Sequence, residues 1–437
     1  MQHTEIEQLD ALERRVGLMV GLAEVEAKVA QQLKQIARST RVAGFRPGKV
    51  PMDIVVRQHG AEVRQEVLER AIGEAFANVV NVHGLRVAGY PRIEPKPEVS
   101  NEGTFECYAV FEVYPDIVLG DLSGQEIVRP VVEVGETEVD NTLTVLSKQR
   151  ASWQNVTRAA QMGDRLTVDF VGTVDGAPFD GGEATGFLLE IGAGRTLPEF
   201  EQGVLGANAG EARQVMVSFP ADYQANHLAG KTAQFDIVVQ TVTEAVLPAI
   251  DAEFAMSLGI ADGDVAVMRA EILANLQREA ANRVQARVRQ QIWQALMAVT
   301  PFEPPKALVQ EESRQLLAKA EQDMRARGMD IAGSGLSLGL FENQAKQRVM
   351  LGLIVSHVIQ AQQLTASADQ MASIIDALAQ SYEEPENVVA WYRQSPERMQ
   401  EIRAQALENQ VVEWVLDQVK VRDEPVTFAT LMEKEQA

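Results

Sequence analysis

The sequence predicts a multidomain α+β protein: an N-terminal α+β domain, an antiparallel β domain with a short helix, and an all-α C-terminal domain with long helical arms. Three observations lead there. A chain of 437 residues has room for two to four domains. Strand-period alternation is concentrated in a glycine-rich middle stretch. Beyond about residue 246, apolar residues recur every four positions over long runs. With 46% hydrophobic and 23% charged residues, wholesale disorder is excluded.

In the first 115 residues, Val16, Leu18, Val20 and Leu22 alternate as in a strand. A helical stretch follows with Val25, Val29, Leu33 and Ile36 on one face. A Gly/Pro-punctuated loop separates it from a second helix over 53–83, which carries Val63, Val67, Ala71, Ala75 and Val79. PRIEP and TFECYAVFEVYP read as strands, and Phe105, Cys107, Ala109, Phe111 and Val113 share one face. Cys107 is therefore expected as a small buried core residue. Residues 116–149 are acidic, extended and then helical, and fit a linker arm. Over 150–245, three runs alternate: Leu166, Val168 and Phe170; Val215, Val217 and Phe219; Phe235, Ile237 and Val239. Asp175-Gly176 marks a tight turn, and LPEFEQGVLG the one short helix. Over 246–437, Met268, Ile272, Leu276, Ala280, Val284, Val288, Ile292 and Leu296 stripe a long helix that TPFEPP ends. Further helical patterns cover 305–327, 339–363, 367–382 and 396–420, with Ser367 and Gln370 as a capping box.

Composition excludes much chemistry. The single cysteine rules out a disulfide framework and any four-cysteine metal site. Five scattered histidines lack metal-ligand spacing, and no Ser/His/Asp or Cys/His signature is present. The stretch from Gly44 to Val50 is not a phosphate loop: three residues separate its glycines, and Val50 stands where magnesium needs a hydroxyl. No run approaches the ~18 apolar residues of a membrane span, and the acidic, polar start is unlike a secretory signal. A soluble cytosolic protein is expected.

Charge is uneven. Of the net −22, residues 1–115 carry only −2, whereas residues 28–52 hold Lys28, Lys34, Arg38, Arg41, Arg46 and Lys49 and no acid. An acidic chain is repelled from nucleic acid, but this stretch offers one place to meet phosphate. At its end, two glycines and two prolines over 44–51 set a turn from which Phe45, Arg46 and Lys49 project, a combination suited to an RNA–protein surface.

Set between a basic helix and a second long helix, GFRPGKVP resembles the ribosome-docking signature of the bacterial trigger factor family. The order of zones is similar over essentially the whole chain. The resemblance implies that Gly44, Phe45, Arg46, Pro47, Gly48 and Lys49 bind the ribosome. Pro47 stands where some members carry a lysine, so one cation of the tip is missing here. The middle zone resembles the FKBP fold through VDFVGTVDGAPFDGG, GRTLPEFEQGVLG and FPADY. That resemblance implies a pocket lined by Phe170, Phe179, Asp180, Phe187, Leu197, Phe200, Tyr223 and Phe235, with Phe200 where many stand-alone members have tryptophan.

The division so implied is a ribosome-binding domain over 1–115, the linker arm over 116–149, an FKBP-like isomerase over 150–245, and a helical substrate-holding domain over 246–437. Within the last, Met350, Met371 and Met399 are expected as exposed, adaptable contacts for unfolded chains. The implied function is a cytoplasmic, ribosome-associated chaperone that isomerises X–Pro bonds without metal, nucleotide or other cofactor. Its implied partners are the large ribosomal subunit near the nascent-chain exit and unfolded or nascent polypeptides, not membrane or DNA, with a weak homodimer off the ribosome. Two alternatives stay open on the sequence: a free cytosolic prolyl isomerase, and a non-enzymatic translation-associated chaperone with a vestigial isomerase domain.

Overall fold

The computed structural model describes residues 6–39, 45, 50–96, 103–223, 225, 228–329, 335–380, 382 and 384–433. The chain forms two compact units, Met1–Arg129 with Arg287–Arg422, and Pro130–Ala286 with Asp423–Ala437.

The first unit begins with β1 (Ile6–Gln8), β2 (Glu13–Gly21), α1 (Leu22–Ser39), α2 (Met52–His83), β3 (Val87–Pro95) and β4 (Thr104–Val113). The strands form an antiparallel sheet in the order β1-β2-β4-β3. Its inner face carries Val16, Leu18 and Val20 from β2 and Cys107, Ala109 and Phe111 from β4. These pack against Val25, Val29 and Leu33 of α1 and Val55, Val63 and Val67 of α2. Leu22 opens α1 instead of extending β2. Cys107 is buried, and burial pushes its thiol pKa up, which keeps it protonated and unreactive.

Next come β5 (Glu126–Val131) and α3 (Glu136–Gln149). The strand module of the second unit then runs through β6 (Ser152–Asn155), β7 (Arg165–Val174), β8 (Ala177–Glu190), α4 (Pro198–Val204), β9 (Ala212–Ser218) and β10 (Thr232–Val246). All five strands form one antiparallel sheet. The long β10 pairs β7 on one edge and, on the other, β9 along its first half and β6 at its end. β7 and β8 meet at a two-residue turn in which Asp175 and Gly176 take φ of 54° and 78°, the left-handed pair such a turn requires. Leu166, Val168, Val217, Ile237 and Val239 build the core with Phe200 and Val204 of α4. Ser152 lies opposite Val246, so the chain enters and leaves this module at neighbouring residues.

The remaining elements are α5 (Ala252–Ser257), α6 (Val265–Val299), α7 (Lys306–Ala326), α8 (Leu338–Ala361), α9 (Ala368–Ala379), α10 (Pro385–Arg393), α11 (Pro396–Leu416), β11 (Lys420–Pro425) and α12 (Phe428–Met432). Val139 and Leu143 of α3 share a separate core with Phe254 and Ala255 of α5 and Met268 and Leu276 of α6; Phe428 of α12 packs against it. In the first unit, α7 and α8 pack through Val309, Leu316 and Ala345. Ser367 caps α9: its hydroxyl accepts from the Gln370 amide at 3.2 Å, and the Gln370 side chain accepts from the Ser367 amide at 3.0 Å.

Three expectations for the helical zone are corrected. The pattern over 396–420 ends as a helix at Leu416, and Lys420–Pro425 is a strand paired with β5. α10 falls in a stretch with no helical pattern assigned. Met350, Met371 and Met399 are half-buried; exposed apolar side chains in this zone include Met256, Val267, Met329, Leu340, Tyr382 and Trp391. Helical stripes fix which face is apolar, but packing partners decide how much of it is covered. Among the described residues, no helix is long and apolar enough to cross a membrane.

Candidate active site

In the strand module, the sheet and the short helix α4 enclose a cavity of about 310 Å³. All eight residues selected from the sequence line it: Phe170, Phe179, Asp180, Phe187, Leu197, Phe200, Tyr223 and Phe235. They come from separate elements. Phe170 is on β7, Phe179, Asp180 and Phe187 on β8, Phe200 on α4 and Phe235 on β10, while Leu197 caps α4 and Tyr223 follows β9.

The rings brace one another edge to face, the arrangement their quadrupoles favour. Phe170 meets Phe187, Phe200 and Phe235 with centroids 5.5, 5.4 and 5.7 Å apart. Phe200 and Phe235 are 5.2 Å apart. Both are buried and form the floor, whereas Phe170, Phe179, Phe187, Leu197 and Tyr223 are half-buried walls. Gly172 is required here: a Cβ on it would sit 2.5 Å from the Phe235 ring. Asp180 is exposed at the mouth.

The cavity also includes residues that the motif reading left out, among them Arg195, Thr196, Val217, Phe219 and Leu228. Phe219 packs against Tyr223 at 4.8 Å, tilted, and edge to face on Phe179 at 6.1 Å. Behind the lining lies Glu201, only 7% exposed, one residue after the floor ring. One carboxylate oxygen accepts from the Gly192 amide at 2.8 Å and the other from the Thr196 hydroxyl at 3.1 Å. Glu201 thereby fixes the loop that carries Arg195, Thr196 and Leu197. Among the described residues the cavity holds no nucleophile and no metal ligand set; it offers an apolar, aromatic socket with polar groups at its rim.

The predicted docking residues fall mostly outside the described residues: Gly44, Arg46, Pro47, Gly48 and Lys49 are not among them. Phe45 is, and its side chain is 40% exposed. Leading to it on α1, Lys34 and Arg38 are exposed and have no ion-pair partner among the described residues, while Lys28 pairs with Glu74 at 3.1 Å.

Three family models match the chain. "Bacterial trigger factor protein (TF)" matches residues 1–146, "FKBP-type peptidyl-prolyl cis-trans isomerase" residues 156–240, and "Bacterial trigger factor protein (TF) C-terminus" residues 264–417. The trigger factor of Aromatoleum aromaticum is 47% identical over 99% of this chain and 99% of its own. The chain belongs to the bacterial trigger factor family. The trigger factor of Dechloromonas aromatica is 48% identical over 98% of this chain and 99% of its own. As a member of the trigger factor family, the protein is a ribosome-associated chaperone with an FKBP-type peptidyl-prolyl isomerase domain. The FKBP-type isomerase match over 156–240 contains every residue lining the aromatic cavity.

Proposed function

We propose that the aromatic cavity is where this chaperone isomerises X–Pro bonds, and that residues 44–49 hold it on the large ribosomal subunit near the nascent-chain exit. Rotation about the peptide C–N bond is opposed by amide resonance, with a barrier of about 18–20 kcal/mol. The twisted transition state loses the planar amide's charge separation. A dry aromatic socket therefore binds it better than the polar ground state, and that difference lowers the barrier. Asp180 and Tyr223 act as hydrogen-bond partners to the peptide, and apolar residues flanking the proline are favoured. No cofactor takes part.

The observation that carries this reading is the convergence of eight side chains, spread from Phe170 to Phe235, on one cavity. For docking, support comes from exposed Phe45 near the end of an acid-free stretch in which Lys34 and Arg38 have no ion-pair partner among the described residues. The working division is 1–115 for ribosome binding, 116–149 as the arm, 150–245 for isomerisation and 246–437 for holding clients. The protein acts in the cytoplasm on unfolded and nascent chains, apart from membranes and DNA, and pairs weakly with itself off the ribosome.

Co-sedimentation with ribosomes tests the docking half. Replacing Phe45, Arg46 and Lys49 together by alanine should abolish pelleting, and raising salt should weaken it in the wild type because exposed charges contribute. A triple variant that pellets like wild type overturns the assignment of this loop.

A further inference from the structure

Of the five arginines in residues 150–245, four are committed within the protein. Arg150 donates to the Ser257 carbonyl, Arg158 pairs with Asp164 and Glu244, Arg165 with Glu190 while stacking on Trp153, and Arg213 with Glu211. Arg195 alone has no hydrogen-bond, ion-pair or ring partner among the described residues, and it is exposed at the wall of the aromatic cavity. Its backbone is not loose. The segment is held by the Gly192 amide and Thr196 hydroxyl on the buried Glu201 carboxylate, and by the Ile191 amide on the Asp164 carbonyl at 3.0 Å. A fixed loop thus presents an uncommitted guanidinium to the space a peptide would enter.

Its surroundings have the opposite sign. Residues 150–245 carry twelve acidic side chains against six basic ones. Asp180 on the same cavity and Glu199 on α4 are both exposed, and neither forms an ion pair with Arg195. Fields from the more distant acids are screened beyond a Debye length of about 8–10 Å, so Asp180 and Arg195, the charged side chains among the described lining residues, set the field at the mouth. A guanidinium offers a planar fork of donors that matches a carboxylate.

We infer that Arg195 is a specificity-determining residue: it admits X–Pro segments with an acidic residue beside the proline, which the module would otherwise repel. This rests on the reading that the cavity is where the X–Pro peptide binds.

The test uses the full chain and tetrapeptides with Glu, Leu or Lys directly before the proline, and a second series with the same residues directly after it. Each kcat/KM for a charged peptide is divided by that for the Leu peptide in the same variant, so a general loss of activity cancels. In Arg195→Ala the Glu/Leu ratio should fall about threefold, the size expected of an exposed ion pair. In Arg195→Glu it should fall about tenfold, as repulsion replaces attraction, while Lys/Leu rises. Arg195→Lys should keep most of the wild-type ratio, and ~1 M salt should erase the wild-type effect. The series whose ratios move identifies the side of the proline that Arg195 reads. Unchanged ratios in Arg195→Glu in both series overturn the proposal. The cavity reading fails separately, and the proposal with it, if Leu197→Ala and Tyr223→Ala both turn over the Leu peptide like wild type.

Discussion

Glu201 is itself buried, yet it holds the segment from Gly192 to Thr196. Glu201→Ala leaves both donors without an acceptor and a cavity behind the floor ring. We expect kcat/KM on a proline peptide to drop well below that of Glu201→Gln, which keeps an acceptor oxygen, with faster hydrogen exchange at the Gly192 amide. Equal activity of the two variants would show that the carboxylate does not position the loop. On the wall, Tyr223→Ala should cost about tenfold in kcat/KM, roughly 1.4 kcal/mol of transition-state stabilisation. Phe200→Ala is a harsher change, because that ring is buried and its removal costs about 3–5 kcal/mol of stability; its activity has to be read beside its melting curve. Phe170, Phe179, Phe200 and Tyr223 were legible because they sit in motif segments that also contain turn residues, whereas Phe187 and Phe235 lie outside those segments and came only with the family resemblance. Phe219 opens FPADY but was passed over, since in the alternation Val215-Val217-Phe219 it is indistinguishable from strand core. Glu201 reads as a surface helix residue until its burial is seen, and Arg195 as an ordinary loop cation.

At the scale of elements, Arg158 joins the loop before β7 to β10. It reaches Asp164 at 2.5 Å and Glu244 at 2.9 Å. The hydrogen bonds from Arg158, aided by the Gln161 amide, hold the Asp164 carboxyl below the usual carboxylate range. A depressed folded pKa contributes stability that is complete above the unfolded value of about 3.9 and is lost as pH falls below it. Melting temperatures taken from pH 7 down to 2 should therefore fall in the acid limb less steeply for Asp164→Asn than for wild type, from a lower starting value at pH 7. Parallel acid limbs would remove Asp164 as a source of the acid sensitivity. The long elements were readable because their period repeats: β7, β10 and α6 each carry enough apolar positions to outvote an exception. β11 was not readable. Its six residues, KVRDEP, are all exposed, and only pairing with β5 makes them a strand. Its partner lies near residue 126, a long-range contact that no local pattern encodes.

For the molecule as a whole, the strand module behaves as an insertion. Ser152 pairs with Val246, and the Ser147 hydroxyl donates to the Pro248 carbonyl, so the flanking segments already meet without it. The core of α3, α5 and α6 uses no residue of the module. A chain joining 1–149 to 246–437 should stay soluble with its helical circular dichroism intact, lose proline-peptide turnover, and still suppress aggregation of an unfolded protein at micromolar concentrations. Precipitation of that chain would mean that the helices depend on the module. The pairing of β5 with β11 has a different consequence, one of timing. Arg422 donates to Glu126 across 296 residues at 2.8 Å, so the strand at residue 126 waits for its partner to be made. At about 5–20 residues per second of synthesis, that wait lasts on the order of 15–60 s. For about the first half of it, Val139 and Leu143 of α3 also lack their later partners, Phe254 and Met268. A protein that shelters unfinished chains thus passes through a long unfinished state of its own, with a helix face uncovered until Met268 is made and a strand edge open until Arg422 follows.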